Sequence, residues 1–341
     1  MLNHRSVRNL LWMVPLLLTI LACSAATYLI LLHLNLTHHL TSSAPSNTTA
    51  LSDAACTARL PSLLTAANSD DTSGSTTPAL DPEVTYLVVY DVHGNQQGNR
   101  DNLIVADHPQ KEIDSHTAHE RIWDTFTTLI PPEDRTFVSE FSILTDGRNN
   151  ILAGVSPTFR DPSQWTLKVD VLDAENSYSL IYSLLHEYGH LLTLNASQVP
   201  PDDQVFYHPH DQAIKDQAVA SCPEYFTGEG CSTSSSYINK FYGQFWSSFY
   251  AEWQKASNNQ DVQRDLLDEF YRKHEEQFLT SYAATSPQED IAESWTYFIL
   301  SPKPEPDTVA NQKILFFYQY PELVTLRQEI LKRLCASLPT Q

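Results

Sequence analysis

The pattern of apolar and polar positions divides the chain after residue 83 into a strand-rich part and a helix-rich part. β-branched and aromatic residues over 84–90 run up to a turn signal, His93-Gly94-Asn95, and predict a strand and a reverse turn. Apolar residues at helical spacing predict a helix over 115–129. Three further strands and a long helix are predicted downstream, at 136–144, 151–155, 165–171 and 177–194.

The second part of the chain is predicted to be mostly helical. A polar, proline-bearing stretch at 199–211 comes first. Helical spacing then recurs in four segments, at 236–256, 262–282, 287–300 and 321–334. We therefore predict an α+β fold in two lobes: residues 83–197 form a small mixed sheet and a long helix, and residues 198–341 form a helical lobe.

Ahead of the predicted lobes lies an apolar segment at 10–34 that contains no Asp, Glu, Lys or Arg. A helix of about 20 apolar residues crosses a bilayer, so this segment predicts a transmembrane signal anchor. Arg5 and Arg8 precede it, and the positive-inside rule then places residues 1–9 in the cytoplasm and the rest outside. A cleaved signal peptide and a lipoprotein signal at Cys23 are the alternatives, and both also export the folded part.

Composition adds two expectations. Residues 35–82 are rich in Ser, Thr, Ala, Asn and Asp, which predicts a low-complexity stalk with a short apolar exception at 60–64. The formal charge at neutral pH is -20, from 41 acidic and 21 basic side chains. Such an acidic surface argues against a nucleic-acid partner, because phosphate binding needs a basic one.

Four cysteines lie outside the apolar segment, an even number that suits an exported protein. They allow three disulfide pairings. We favour Cys222–Cys231, which closes a short loop, together with Cys56–Cys335, which ties the stalk to the C-terminus. Free buried thiols are the alternative.

The candidate chemistry lies in His186-Glu187-Tyr188-Gly189-His190, within the predicted helix at 177–194. Two histidines four residues apart project from one helix face, as a tetrahedral Zn²⁺ site requires. Glu187 between them could take a proton from metal-bound water and pass it to a leaving amine. Gly189 is costly in a buried helix and predicts that neighbouring backbone passes close to it. A histidine pair without metal is the alternative.

A catalytic zinc site needs a third protein ligand. No histidine follows His190 at short spacing, so a downstream carboxylate is the candidate. Ser286 and Pro287 start a predicted helix on which Glu289 and Glu293 share one face. Two like charges on one buried face are costly unless a cation compensates them. Either carboxylate could be the ligand, and a solvated capping box is the alternative.

The segments HEYGH and SY(x)6EDIAE together resemble the gluzincin zinc metallopeptidases, most closely the catalytic domains of the anthrax lethal factor type. The resemblance covers only these two helices. It implies a zincin-like fold in which Glu289 is the third zinc ligand, Glu293 supports a ligand histidine and Tyr282 stabilises the oxyanion of the tetrahedral intermediate. It also implies a peptide or protein substrate. The stretch between His190 and Glu289 is longer than in the family, which leaves Glu293 as a rival ligand.

Two further features border the predicted site. The insert between the two helices contains His208-Pro209-His210, which could bind metal, stabilise an oxyanion or lie in a loop, and the insert could overhang the cleft. The strand at 151–155 could be an edge strand to which an extended peptide adds.

These features together predict a membrane-anchored zinc metallopeptidase that hydrolyses peptide bonds outside the cytoplasm. The alternative is an extracellular interaction module whose zinc site is structural or inactive. Glu187 favours the enzyme, because a structural site does not need a general base.

Overall fold

The computed structural model describes residues 56, 58–70, 84–94, 96–102, 115–147, 152–257 and 263–338. Residues from both predicted lobes belong to one folded unit. Within the described ranges, no helix combines the length and apolar character needed to cross a bilayer. The predicted cytoplasmic segment, the anchor and most of the stalk lie outside the described residues.

A five-stranded mixed sheet occupies the first half of the described chain. Its strands are β1 (Thr85–His93), β2 (Gln96–Asn102), β3 (Val138–Thr145), β4 (Ala153–Pro157) and β5 (Trp165–Asp170), in the spatial order β2-β1-β3-β5-β4. β1 pairs antiparallel with β2 and β3, β3 runs parallel to β5, and β4 runs antiparallel to β5. The predicted mixed sheet is confirmed, and the strand predicted at 151–155 lies at its edge.

Most of the remaining structure is helical, which confirms the α+β class. The helices are α1 (Leu60–Asp70), α2 (His116–Leu129), α3 (Ser177–Leu194), α4 (Asp203–Tyr207), α5 (Gln212–Ser221), α6 (Tyr237–Phe245), α7 (Tyr250–Ser257), α8 (Gln263–His274), α9 (Pro287–Leu300), α10 (Val309–Phe317) and α11 (Pro321–Ser337). α3 and α9 have the predicted bounds.

Two of the predicted helices are shorter than expected. The segment at 236–256 is divided into α6 and α7, and the segment at 262–282 is helical only as far as His274. Ser247 Oγ donates to the Gly243 carbonyl at 2.9 Å, next to the break between α6 and α7. Serine side chains that bond to nearby backbone compete with helical hydrogen bonds, and glycine weakens a helix further.

One hydrophobic core joins the sheet to the helices, with Phe141 of β3 and Trp295 of α9 in the same cluster. The apolar exception predicted at 60–64 is the longer helix α1, whose Leu60 and Leu63 are buried. Part of the predicted stalk is therefore folded. The structure forms the two favoured disulfides, Cys56–Cys335 and Cys222–Cys231, each with a Cα–Cα distance of 5.5 Å.

Candidate metal centre

His186 and His190 project from one face of α3 towards Glu289 in the first turn of α9. Their Nε2 atoms are 3.1 Å apart. Glu289 Oε2 lies 3.0 Å from His186 Nε2 and 3.2 Å from His190 Nε2. Both histidines are buried, whereas Glu289 is partly exposed. These three atoms, the donor triangle, therefore open to solvent on the carboxylate side.

Local sequence sets where the two helices begin. Asn176 caps α3 by accepting hydrogen bonds from the backbone N–H groups of Tyr178 and Ser179. Ser286 caps α9 by accepting from the Glu289 N–H at 3.1 Å, and Pro287 takes the first helical position, where no N–H is needed. This cap places Glu289 in the first helical turn.

α3 and α9 pack closely against each other at Gly189. A Cβ atom at this position would lie 3.0 Å from Ala292 Cα and 3.1 Å from Trp295 Cδ1. Only a residue without a side chain fits between the two helices without displacing them. The predicted close approach at Gly189 is confirmed, and it brings the carboxylates of α9 to the histidines of α3.

Glu293 lies one helical turn after Glu289 and contacts the other side of the His186 ring. Its Oε1 accepts hydrogen bonds from His186 Nδ1 at 2.9 Å and from the Tyr182 hydroxyl at 2.8 Å. Its Oε2 accepts from Thr280 Oγ1 at 2.8 Å, and the side chain is 3% exposed. Glu293 therefore orients His186, while Glu289 meets both Nε2 atoms. The sequence pattern did not identify Tyr182 or Thr280.

The donor triangle suits a cation. Because Nδ1 of His186 donates to Glu293, a neutral His186 presents only a lone pair at Nε2. This lone pair and the Glu289 carboxylate repel each other unless a proton or a metal ion lies between them. Ligand atoms about 2.0–2.1 Å from a tetrahedral zinc ion are about 3.3 Å apart, which is close to the observed spacing. His186, His190 and Glu289 could therefore hold a metal ion.

The pKa values of His186 and Glu289 also favour a cation at the donor triangle. Burial acts to lower the pKa of His186, but the hydrogen bonds and charges of Glu289 and Glu293 outweigh it and raise that pKa well above its usual value. Burial acts to raise the pKa of Glu289, but His190 and His186 outweigh it and bring that pKa well below its usual value. The cluster thus favours positive charge beside an ionised carboxylate.

Glu187 is a buried carboxyl group on the same helix as the two histidines. Burial raises its pKa, and the charges of His190 and His186 and a hydrogen bond from the Val155 backbone oppose this rise. A carboxyl group with a raised pKa exchanges protons closer to neutral pH than an ordinary glutamate, as a general acid or base must.

Tyr282 lies in a short 3₁₀ turn, Tyr282–Thr285, between α8 and α9. Its ring centroid is 5.7 Å from that of His186, and 49% of the residue is exposed. Loss of solvent around its hydroxyl group, followed by the charges of Glu289 and Glu187, raises the pKa of Tyr282 above the usual value, although half of the residue surface is exposed. Tyr282 therefore keeps its proton and faces the cluster as a hydrogen-bond donor.

The outer edge of β4 borders the cluster. Thr158 donates to the Gln164 carbonyl and Asp170 donates to the Leu152 carbonyl, both at 2.8 Å, which fixes the hydrogen-bonding phase between β4 and β5. Residues alternate along an antiparallel pair, so the backbone groups of Val155 point away from β5, as do those at positions 153 and 157. The hydrogen bond from Val155 to Glu187 agrees with this direction.

The insert between α3 and α9 also borders the cluster, through the loop closed by Cys222–Cys231. Gln288, the neighbour of Glu289, donates a 2.7 Å hydrogen bond to the Thr227 carbonyl. The Tyr225 hydroxyl in turn donates a 3.1 Å hydrogen bond to Gln288 Oε1. Glu229 in this loop is exposed to solvent and lies within electrostatic range of His190 and Lys168. No sequence motif identifies these insert residues, because they reach the site only through the fold.

His208 and His210 are exposed, and neither belongs to a potential metal-ligand cluster within the described ranges. A second group of potential metal ligands within the described ranges consists of Asp146, Asp170 and Asp173. In it, Asp170 accepts hydrogen bonds from the backbone N–H groups of Asp146 and Leu172, both at 2.7 Å. These bonds stabilise the ends of neighbouring strands.

No protein-family model, no curated protein and no solved structure matches the chain. The geometry of the cluster and the short motif resemblance are therefore the observations that bear on function.

Proposed function

We propose that the protein is a zinc-dependent metallopeptidase of the gluzincin type that cleaves peptides or proteins outside the cytoplasm. The observation that carries this proposal is the donor triangle of His186, His190 and Glu289 with the buried Glu187 beside it. A purely structural metal site has no need of an acid–base carboxyl group. The resemblance of the two helices to gluzincins supports the same chemistry.

His186, His190 and Glu289 are the proposed ligands, and zinc is the proposed ion. Two imidazoles and one carboxylate form a known catalytic zinc ligand set that leaves a fourth position for water. Bound zinc would act as a Lewis acid and lower the pKa of its water to about 7. Glu293 would fix the orientation of His186 through Nδ1, as groups around metal ligands commonly do.

Glu187 and Tyr282 are the proposed catalytic residues. The Glu187 carboxylate would take a proton from the attacking water and give it to the leaving amine nitrogen, and its raised pKa suits both transfers. The protonated Tyr282 hydroxyl would donate a hydrogen bond to the carbonyl oxygen as that oxygen gains negative charge. The two residues lie on different elements, so the scissile bond would lie between them.

The outward-facing backbone of β4 supports a peptide as the substrate. An extended peptide can add to a sheet edge through main-chain hydrogen bonds. Val155 would lie level with the scissile bond, because its backbone N–H bonds to Glu187, which leaves the Val155 carbonyl for pairing with the peptide. Pro157 has no N–H, so pairing at that position is limited to its carbonyl group.

The disulfides support the proposed location. Cys56–Cys335 and Cys222–Cys231 are typical of proteins exported to an oxidising compartment. The predicted anchor at 10–34 would hold the folded part at the outer face of a membrane.

Zinc content and peptide cleavage, measured on the same preparations, test the proposal. We expect wild type to bind one zinc ion, to cleave members of an unbiased peptide library, and to lose this activity on chelation. Glu187→Gln should keep zinc but react about 10²- to 10⁴-fold more slowly. Equal cleavage by Glu187→Gln would remove Glu187 from the mechanism. Zinc binding without any cleavage by wild type would support the interaction module instead.

A further inference from the structure

Phe159 and Tyr207 form an exposed aromatic pair just past the end of β4. Phe159 is 79% exposed and Tyr207 is 42% exposed. Their ring centroids are 5.8 Å apart with the planes at 89°, and the Tyr207 hydroxyl lies 3.4 Å from the Phe159 carbonyl oxygen. Single exposed apolar side chains are common on protein surfaces. This pair differs because two distant segments of the chain meet to form it.

Both halves of the pair are fixed in place. The turn that carries Phe159 is closed by a 2.8 Å hydrogen bond from Thr158 Oγ1 to the Asp161 carbonyl. Tyr207 ends α4, which Asp202 caps through the N–H groups at its start. Phe206 also packs against Tyr207, with ring centroids 5.1 Å apart. The backbone that carries both rings is therefore held in place, while the rings stay largely exposed.

Phe159 lies two residues past the end of β4, where the chain bends back towards β5. Val155 marks the proposed level of the scissile bond, and Phe159 follows it by four residues. Four residues of extended chain span about 13 Å. A peptide paired with the free edge of β4 would therefore reach Phe159 and Tyr207 about four residues from its cleaved bond.

We propose that Phe159 and Tyr207 form a specificity subsite for an aromatic or large aliphatic side chain of the substrate. This proposal rests on the proposed peptidase function for the class of its ligand. The subsite would bind the side chain about four residues from the scissile bond, as judged from strand spacing. Covering a Phe side chain there would raise kcat/KM about tenfold relative to Ala.

Paired peptides test the subsite. Each pair has Phe or Ala at one position along a cleaved sequence, and kcat/KM is measured for wild type, Phe159→Ala and Tyr207→Ala. We expect wild type to prefer Phe about tenfold at one position three to five residues from the cleaved bond, and both variants to lose most of that preference. The control variant Val219→Ala removes another exposed apolar side chain, on α5, and should keep the preference for Phe. Circular dichroism checks that each variant is folded.

Binding to Glu187→Gln separates the two proposals, because it does not require cleavage. Fluorescence anisotropy uses labelled Phe and Ala peptides built on the cleaved sequence or, without cleavage, on the library peptide that binds Glu187→Gln most tightly. The Phe peptide should bind more tightly, and adding Phe159→Ala should abolish the difference. If wild type cleaves but Phe159→Ala keeps the Phe preference, the subsite is wrong and the peptidase function stands. If wild type cuts nothing while Glu187→Gln shows the Phe159-dependent preference, the subsite stands and the peptidase function fails. If neither assay shows a preference for the Phe peptide, the proposed subsite is wrong.

Discussion

Glu293 holds the His186 ring through a hydrogen bond of 2.9 Å between Nδ1 and Oε1. The other ring nitrogen, Nε2, is thereby turned towards Glu289 and His190. The two carboxylates of α9 share a helical face but have different roles, since one orients the imidazole and the other joins the donor triangle. This difference leads to the first prediction.

Replacing Glu289 should abolish stoichiometric zinc binding, whereas replacing Glu293 should only weaken it. Glu289→Ala removes a proposed ligand. Glu293→Gln keeps the shape but weakens the contact to His186 Nδ1, and such changes typically reduce metal affinity about 10- to 100-fold. Competition with a chromophoric chelator measures both affinities. Loss of zinc in Glu293→Gln but not in Glu289→Ala would reverse the ligand assignment.

Gly189→Ala should destabilise the protein by about 1–3 kcal/mol, because the added Cβ meets the backbone of α9. It should also weaken zinc binding, since the donor triangle spans α3 and α9. Gly243→Ala in α6 is the matched control, because a Cβ there meets nothing within 4 Å. Helix propensity then predicts stabilisation of up to about 1 kcal/mol. Urea unfolding measures both variants, and equal effects would contradict the packing argument.

Asp290 and Lys313 form an ion pair whose side chains are both 0% exposed. Asp290 Oδ2 lies 2.5 Å from Lys313 Nζ and 2.7 Å from Trp246 Nε1. Lys313→Met would leave the Asp290 carboxylate buried without its cation and should cost about 3–5 kcal/mol. The double variant Asp290→Asn/Lys313→Met should be less destabilised than Lys313→Met alone. Urea unfolding gives the comparison, and a double variant as unstable as the single one would contradict it.

The same pair should make stability depend on pH. Burial raises the pKa of Asp290 from 3.8 to about 6, despite the opposing charge of Lys313. The folded state therefore binds this proton more tightly than the unfolded state. The stabilising contribution is complete below about pH 4 and is lost as pH rises through about 6, an effect of about 3 kcal/mol. Unfolding measured from pH 4 to 7 should show this fall in wild type relative to Asp290→Asn/Lys313→Met. Parallel profiles would contradict it.

The two disulfides should differ in their effect on stability. Cys56–Cys335 links residues 279 positions apart, and Cys222–Cys231 links residues 9 apart. Loop-closure entropy predicts losses of about 5 and about 3 kcal/mol for the respective paired Ser variants. Urea unfolding without reductant measures both losses. A larger loss of stability on removing Cys222–Cys231 would show that native packing, and not loop length, determines which disulfide stabilises the protein more.

The sequence predicted those elements whose signals are local. The predicted bounds of α3 and α9 match the observed ones, because the apolar spacing and the Ser286-Pro287 start are local signals. β2 was missed because its sequence, QQGNRDN, has no apolar alternation. α10 was also missed, and its buried Lys313 is explained only by Asp290 on another helix.

In the candidate site, too, local spacing predicts some features and tertiary packing determines the others. Helical spacing alone placed His186 and His190 on one face, and the structure confirms that they lie together. Spacing could not decide between Glu289 and Glu293, because both lie on the same face of α9. The approach of the two helices at Gly189 decides which carboxylate meets which nitrogen, and that approach depends on tertiary packing.

The Cys56–Cys335 disulfide also has a mechanical consequence. It joins the residue just ahead of α1 to the last turns of α11, so the chain between two cysteines 279 positions apart lies within one covalent loop. A pulling force applied between the two ends of the chain would pass through the sulfur–sulfur bond. The sheet and the donor triangle lie inside the loop and are shielded from that tension while the bond is intact.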